Sequence, residues 1–183
     1  MKKLAIIAVC MSFLLSACSG VADRILGRNN KTHGEELYLV DPTDEMFQNT
    51  IDTLFDKIGS KDRNAVKSMF AHNAIGQDDA FEADLDVMLD FVKGEIISVE
   101  ERGSSGETSF EQDYVKTSKQ GWYVIRTDTD SYIFVVIACL EDTTDPNNIG
   151  IQTLRVLREA DKEIYFASWD DVEIPGIYVG QPG

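Results

Sequence analysis

The longest apolar run outside the N-terminus covers residues 132–140, and it constrains the fold more than any other stretch of this chain. Most of its residues are β-branched or aromatic, and acidic turn residues bound it at 128–131 and at 141–146. Such a run is typical of a β-strand that is buried on both faces. Because a strand of this kind needs a layer on each side, we expect it at the centre of a sheet.

Residues 1–17 have the pattern of a secretory signal peptide. Lys2 and Lys3 precede an apolar segment, residues 4–15, which is shorter than the roughly 20 residues that a membrane-spanning helix needs. The segment ends in Leu15-Ser16-Ala17-Cys18, which resembles a bacterial lipobox. In lipoproteins with this signal, the cysteine carries a thioether-linked diacylglyceryl group. Cleavage before it frees its amine for acylation with a fatty acid such as palmitate.

The resemblance implies a lipoprotein on the extracytoplasmic side of the cell membrane, with the lipid on Cys18 as its membrane anchor. Two or three acyl chains hold a protein stably on a membrane where one chain does not. Residues 18–40 are then a lipid-anchored tether, and residues 41–183 form a single domain of ordinary size. The alternative is an ordinary secreted protein, cut at the same place and carrying no lipid.

The charge of the chain excludes some classes of partner, and its cysteine content excludes a disulfide framework. The formal net charge of −15 repels nucleic acid and anionic headgroups, so we expect neither as a partner. Of the three cysteines, Cys10 leaves with the signal and Cys18 takes the lipid. Cys139 then stands alone in the apolar run as a small buried hydrophobe, and no disulfide framework is expected.

The spacing of apolar residues predicts three helices before residue 95 and strands after it. Asp41 and Pro42 supply the N-cap and the first position of the first helix, Ser60 can cap the second, and Asp78 starts the third. The expected strands are joined as an antiparallel meander with a loop at 103–108, and they are residues 95–101, 111–117, 122–127, 132–140, 149–158 and 163–169. Residues 111–117 and 122–127 are either two strands or one strand that continues through 119–121.

This order of elements resembles the nuclear-transport-factor-two-like (NTF2-like), cystatin-like α+β cone. The resemblance implies a fold of three N-terminal helices packed on a curved antiparallel sheet of about five strands. Four further segments carry a likeness to a known family: Leu54-Phe55-Asp56-Lys57-Ile58-Gly59-Ser60-Lys61-Asp62, Val66-Lys67-Ser68-Met69-Phe70, Asp90-Phe91-Val92-Lys93-Gly94-Glu95-Ile96-Ile97-Ser98 and Gly176-Ile177-Tyr178. With these segments and the lipobox, the chain resembles bacterial lipoproteins grouped as domain of unknown function 5104, a family that implies no activity.

Aromatic residues of the predicted strands could line a small apolar pocket at the mouth of the cone. The candidates for this ligand pocket are Trp122, Tyr123, Tyr132, Phe134 and Trp169. The alternative is that these side chains pack in the core.

An isomerase site in such a cone would need a carboxylate base beside a tyrosine or a protonated acid. The sequence offers several such residues, but a register error of one residue would exchange the two faces of a strand. The residues are Tyr114, Tyr123, Tyr132, Asp113 and Asp128. His72, expected at the C-terminal end of a short helix, has no visible orienting partner.

We therefore expect a non-catalytic domain that binds a small apolar ligand or a cell-envelope protein. One alternative is a small hydrolase or isomerase that uses a cone-lining acid. Another is a homodimer through the outer face of the sheet, where Ile133, Val135 and Ile137 would otherwise be exposed. No cofactor and no metal is expected, because the acidic stretches 128–130 and 141–145 lack the spacing of a calcium loop.

Overall fold

Four α-helices precede the sheet in the part of the chain that the structure describes. The structure is a computed structural model, and it describes residues 41–111, 114–165 and 175–180. The helices are α1 (Pro42–Gly59), α2 (Arg63–Ser68), α3 (His72–Gln77) and α4 (Phe81–Phe91). The predicted count of three is therefore too low, because α3 forms where no helix was expected. No described helix is long and apolar enough to cross a membrane.

The first helix follows the sequence prediction closely. The Asp41 carboxylate accepts a hydrogen bond from the backbone N–H of Thr43 at 2.9 Å, and Pro42 occupies the first helical position. This cap satisfies one of the backbone donors that every helix N-terminus leaves open. The apolar stripe is buried against the sheet and comprises Phe47, Ile51, Leu54, Phe55 and Ile58.

The other helix boundaries differ from the prediction by a few residues. Asp62 caps α2 by accepting from the backbone N–H of Ala65 at 3.0 Å, so Ser60 is not its cap. His72 is the first residue of α3 rather than the last residue of a helix. The inward face of α4 is confirmed by the buried side chains Phe81, Leu85, Met88 and Leu89, and the next expected residue, Val92, is buried just beyond the end of the helix.

Five strands form one sheet in the order β1-β2-β3-β4-β5. They are β1 (Ile96–Glu111), β2 (Tyr114–Thr127), β3 (Ser131–Asp142), β4 (Gly150–Arg158) and β5 (Gly176–Val179). Neighbouring strands from β1 to β4 are antiparallel, but β5 lies parallel to β4. The sheet is therefore mixed, and the expectation of a wholly antiparallel sheet is wrong.

Two predicted segments adopt other structures. The Gly- and Ser-rich residues 103–108 are not a loop, because they pair in register with β2, from Gly103 opposite Trp122 to Thr108 opposite Thr117. The expected strand 163–169 begins as one helical turn, α5 (Lys162–Tyr165), so not all helices precede the sheet. Its remaining residues lie outside the described part of the chain.

The central strand β3 is buried on both faces, as the sequence predicts. Tyr132, Phe134 and Val136 point inward and pack in the main core with the stripe of α1. On the other face, Ile133 and Val135 are also buried, and Ile133 packs with Val124 and Leu157. Ile137 is the exception on the outer face, since it is half-buried.

Candidate functional site

The structure brings three of the five predicted pocket residues together, but as packed core. Tyr123, Tyr132 and Phe134 are at most 1 % exposed. The ring of Phe55 lies edge-on to Tyr123 and to Phe134, with centroids 5.5 Å and 5.3 Å apart. Trp122 is 38 % exposed and lies on the opposite face of β2 from Tyr123, because successive strand residues alternate between faces. The fifth residue, Trp169, lies outside the described residues.

The two core tyrosines differ in their hydrogen bonding. The Tyr132 hydroxyl accepts from the backbone N–H of Lys93 at 2.9 Å. The Tyr123 hydroxyl is buried with no hydrogen-bond partner among the described residues. Burial raises the pKa of Tyr123, and the negative charges of Glu101 and Asp52 add to the shift. The Tyr123 phenol is therefore neutral at physiological pH, and neither hydroxyl is hydrogen-bonded to a carboxylate.

The remaining acid and tyrosine candidates do not meet in the core either. Asp128 lies in the turn after β2, where its carboxylate accepts from the backbone N–H of Glu95 at 2.9 Å. Tyr114 is half-buried at the start of β2, and Asp113 lies outside the described residues. Within the described ranges, neither Tyr123 nor Tyr132 is hydrogen-bonded to a carboxylate, as the isomerase site considered above would require.

Because α1 crosses one face of the sheet, it leaves a groove on each side. The apolar groove, of about 310 Å³, lies between α1 and the ends of β3 and β4. The acidic groove, of about 440 Å³, lies between α1 and the start of β1. The apolar groove is lined by Met46, Asn49, Thr50, Ala138, Cys139, Leu140, Ile149 and Gly150. The acidic groove is lined by Asp52, Phe55, Asp56, Gly59, Ser60, Glu95, Ile96 and Val99.

The apolar groove has no charged residue in its lining, although the chain carries a formal charge of −15. Met46 and Ile149 are 50 % and 45 % exposed, while Leu140 and Ala138 are buried. A methionine side chain adapts its shape to what it contacts. The volume lies at the lower end of the range of about 300–1,000 Å³ that is usual for small-molecule sites. The groove therefore suits a small neutral ligand with an apolar body.

Cys139 is part of this uncharged lining, and it does not act as a nucleophile. Its thiol is buried and donates to the backbone carbonyl of Glu141 at 3.3 Å. Burial raises the pKa of the Cys139 thiol above its usual value, despite the opposing charge of Lys116. Because the thiolate is the reactive form, this cysteine stays unreactive at neutral pH.

A hydrogen-bond network fixes the connection from β3 to β4, which carries Ile149 to the groove. One carboxylate oxygen of Asp142 accepts from the backbone N–H groups of Thr144 and Asp145, both at 3.0 Å. Its other oxygen accepts from the side-chain amide of Asn148 at 2.9 Å. The side-chain Oδ1 of Asn148 in turn accepts from the side-chain amide of Asn73 at 2.7 Å. The network therefore ties α3 to this connection.

The acids of this connection are structural groups. Asp142 is only 5 % exposed, so it is not a solvated surface acid. Hydrogen bonds from Asn148, Asp145 and Thr144 hold the pKa of Asp142 far below its usual value. Within the described ranges, no cluster of three His, Cys, Asp or Glu side chains could hold a metal ion.

Gly150 lets β4 start directly against the helical layer beside the groove. Its φ is +128°, and a Cβ there would lie 2.8 Å from the Ala71 nitrogen and 2.9 Å from the Met69 carbonyl oxygen. The close approach allows the Ile151 N–H to donate to Met69 at 2.9 Å and the Ala71 N–H to donate to Ile151 at 3.0 Å. Only glycine combines this backbone angle with this contact.

Sequence reasoning did not find the apolar groove, although two signals pointed to it. Met46 is an apolar residue of α1 that falls outside the buried stripe. Ile149 is an apolar residue in a turn of polar residues, Asn147-Asn148-Ile149-Gly150. Each residue is unremarkable by itself, and only the fold places them across one groove.

Comparison with known proteins identifies the family. No curated protein matches the chain. The family model described as domain of unknown function, DUF5104, matches residues 53–159. The match takes in the C-terminal part of α1, the other helices before the sheet and the strands β1 to β4, and it exceeds half of the 183 residues. The chain therefore belongs to the DUF5104 family.

Proposed function

We propose that this chain is a lipid-anchored, extracytoplasmic and non-catalytic domain that binds a small neutral ligand in the apolar groove. The observation that carries the proposal is the uncharged, partly exposed apolar lining of that groove on a strongly acidic chain. Exposed apolar side chains that gather in a concavity, rather than being scattered singly, are typical of binding sites.

The anchor part of the proposal rests on the lipobox-like segment that ends in Cys18. Residues 1–40 lie outside the described part of the chain, so this support comes from the sequence alone. The proposed tether, residues 18–40, joins the domain at Asp41, five residues before Met46 of the groove. A groove so near the tether in sequence would suit a ligand released from or delivered to the membrane.

We also propose that the domain is an NTF2-like, cystatin-like cone. The support is a helical layer, with α1 leading, on one face of a sheet whose first four strands form a meander. The additional helix α3 and the parallel strand β5 depart from the expected pattern. The fold carries no function by itself.

The two alternative functions have weaker support. A hydrolase or isomerase would need an acid hydrogen-bonded to a buried tyrosine, and neither the Tyr123 nor the Tyr132 hydroxyl has such a bond among the described residues. A homodimer through the outer face was suggested because Ile133 and Val135 would be bare. They are 7 % and 3 % exposed within one chain, so their burial does not require a second subunit.

The anchor is tested by labelling cells with an alkyne analogue of palmitate. We expect the wild-type protein and a Cys139→Ala control to take up label and to sediment with membranes. The Cys18→Ser variant should lose the label and either appear in the soluble fraction or keep an uncleaved signal. Label retained by Cys18→Ser would overturn the lipid anchor without affecting the groove.

The groove is tested with residues 41–183 in solution and the neutral fluorophore 1-aminoanthracene. Ile149→Asp puts a charge into the groove, while Val87→Asp changes an equally exposed apolar residue of α4, both being 45 % exposed in the wild type. We expect saturable binding that Ile149→Asp weakens at least about tenfold, since burying a carboxylate against an apolar ligand is unfavourable. Equal affinities in the two variants would place the binding elsewhere and contradict the proposal.

A further inference from the structure

The first strand of the sheet presents an unusually long free edge. β1 spans 16 residues and is the terminal strand of the sheet, so one of its sides pairs with β2 and the other faces outward. Strands are typically about 5–6 residues long. A terminal strand exposes a row of backbone N–H and C=O groups that can pair with another chain.

This edge has few of the features that usually prevent pairing with another chain. Natural sheets protect their edges with prolines, lysines, short strands or bulges. Residues 96–111 contain no proline and no lysine. Two register shifts occur, between Ile96 and Ser98 and between Glu101 and Gly103, but from Gly103 to Glu111 the pairing with β2 is unbroken. That leaves a regular run long enough for an added strand.

Apolar side chains are exposed along the same strand. Ile97, Val99 and Phe110 are 68 %, 43 % and 75 % exposed. They make up three of the seven exposed large hydrophobic side chains in the described part of the chain. Such residues favour a partner that covers them, because burying apolar surface is the main favourable term in association.

The negative charge along β1 indicates which kind of partner would bind at this edge. The strand sequence contains four glutamates and one arginine. Glu100 is paired with Arg102 at 3.1 Å and with Arg126 at 3.3 Å. Glu101 and Glu107 have no ion-pair partner among the described residues, and the carboxylates of the acidic groove lie beside the start of the strand. The edge therefore attracts positive charge.

A second copy of this chain fits the edge poorly. Two antiparallel β1 strands would bring the glutamates of both copies to one seam, and like charges across a strand pair are destabilising. The charge of −15 on each copy adds a longer-range repulsion. An extended segment that alternates basic and apolar residues would satisfy both the free carboxylates and the exposed apolar side chains.

We propose that the β1 edge is a strand-addition site for an extended basic and apolar segment of another protein. Backbone hydrogen bonds to β1 would give such a complex its affinity, and alternate side chains of the partner its specificity. The site is separate from the apolar groove, which lies on the other side of α1. The proposal for the β1 edge is therefore independent of whether the apolar groove binds a ligand.

The test uses the full-length protein in nanodiscs of neutral phosphatidylcholine, with labelled peptide probes. One probe is a nine-residue peptide of alternating lysine and valine, and its matched control has glutamate in place of lysine. We expect the lysine peptide to raise fluorescence anisotropy saturably, with an affinity that falls as salt is added. The glutamate peptide should not bind.

Two proline variants locate the binding at the edge. Ser104 and Ser105 are neighbours in the regular part of β1, and neighbouring backbone N–H groups point to opposite sides of a strand. Because proline has no backbone N–H, one of the variants Ser104→Pro and Ser105→Pro removes an N–H donor from the free edge of β1. The other variant removes an N–H that points toward β2. We expect one variant to keep the wild-type melting temperature and lose the peptide, and the other to be destabilised.

Charge variants show whether the peptide binds at the β1 edge even if both proline variants fail to fold. The double variant Glu101→Lys with Glu107→Lys should weaken the lysine peptide about tenfold and allow the glutamate peptide to bind. Asp79→Lys is the control, since Asp79 precedes α4, which packs against β5 at the opposite edge of the sheet. Asp79→Lys should leave the affinity unchanged.

Three results would overturn the proposal. The first is no binding of the lysine peptide to the wild type. The second is an equal loss of binding in Asp79→Lys and in the double variant, which would mean that net charge alone attracts the peptide. The third is a dimer in analytical ultracentrifugation that a proline in β1 dissociates, which would make a second copy the occupant of this edge.

Discussion

The backbone N–H of Lys93, two residues beyond α4, donates a hydrogen bond to the hydroxyl of Tyr132 in β3 at 2.9 Å. The contact joins the end of the helical layer to the central strand. Phe91 packs edge-on against the same ring, with centroids 5.6 Å apart. Tyr123 occupies the neighbouring strand and is equally buried, but its hydroxyl has no partner among the described residues.

The two tyrosines should therefore respond oppositely to loss of the hydroxyl. Tyr132→Phe removes a hydrogen bond and should lower the free energy of unfolding by about 1 kcal/mol. Tyr123→Phe removes an unpaired buried polar group and should leave stability unchanged or raise it. Urea denaturation of both variants measures the difference. A larger loss in Tyr123→Phe than in Tyr132→Phe would mean that the Tyr123 hydroxyl has a partner that stabilises the fold.

The parts of the fold with strong periodicity could be predicted from the sequence. The stripe of α1 and the doubly buried β3 repeat apolar residues over several turns or positions, so local pattern and tertiary burial agree. The exposed edge strand β1 could not be recognised over residues 103–108, because a strand that buries neither face needs no apolar alternation. There, pairing with β2 decides the structure.

The candidate site was beyond local sequence reasoning for a different reason. Tyr123, Tyr132 and Phe134 were correctly placed in adjacent strands, but the ring of Phe55 from α1 packs edge-on against both Tyr123 and Phe134, so these side chains form packed core. The apolar groove depends on where α1 lies relative to the connection that carries Ile149. That placement is tertiary, and neither segment encodes it by itself.

Both faces of β3 should be sensitive to truncation in a single chain. Phe134→Ala on the inner face and Ile133→Ala on the outer face should each cost about 2–5 kcal/mol, because the wild-type side chains are buried. Ile137→Ala is the matched outer-face control and should cost less, since Ile137 is half-buried. Denaturant midpoints at two protein concentrations measure these costs.

The concentration series separates burial within one chain from burial between chains. If Ile133→Ala costs the same at both concentrations, the cover of the outer face belongs to the same chain. A cost that appears only at the higher concentration would indicate a second subunit, because the stability of a dimer depends on concentration. That result would support the alternative of a homodimer through the outer face of the sheet.

Gly150 should tolerate no side chain. Gly150→Ala combines a φ of +128° with a Cβ only 2.8 Å from the nitrogen of Ala71, so it should cost at least about 1–3 kcal/mol. Gly76→Ala is the control, because this exposed glycine lies within α3 and has no atom within 4 Å of a Cβ placed there. It should stabilise by about 0.5–1 kcal/mol. Thermal melts that rank the two variants the other way would contradict the close approach of β4 to the helical layer.

Asp142 should make stability depend on pH in a defined direction. The amide of Asn148, the N–H of Asp145 and the hydroxyl of Thr144 lower the pKa of its carboxyl in the folded chain. In the unfolded chain, that pKa returns to about 3.9. Because the folded value is the lower one, the stabilisation is fully present above about pH 4 and is lost as the pH falls toward the folded pKa.

The variant Asp142→Asn isolates this contribution. It replaces a carboxylate that accepts bonds on both oxygens with an amide whose NH₂ group would face the NH₂ group of Asn148. We expect the melting temperature to fall by several degrees at pH 7 relative to the wild type, and this difference to shrink as the pH is lowered toward 2. Asp79→Asn, at an exposed position in the connection before α4, is the control and should change the melting temperature little at any pH. A difference between wild type and Asp142→Asn that stays constant from pH 7 to pH 2 would mean that the charge of Asp142 does not hold the β3–β4 connection in place.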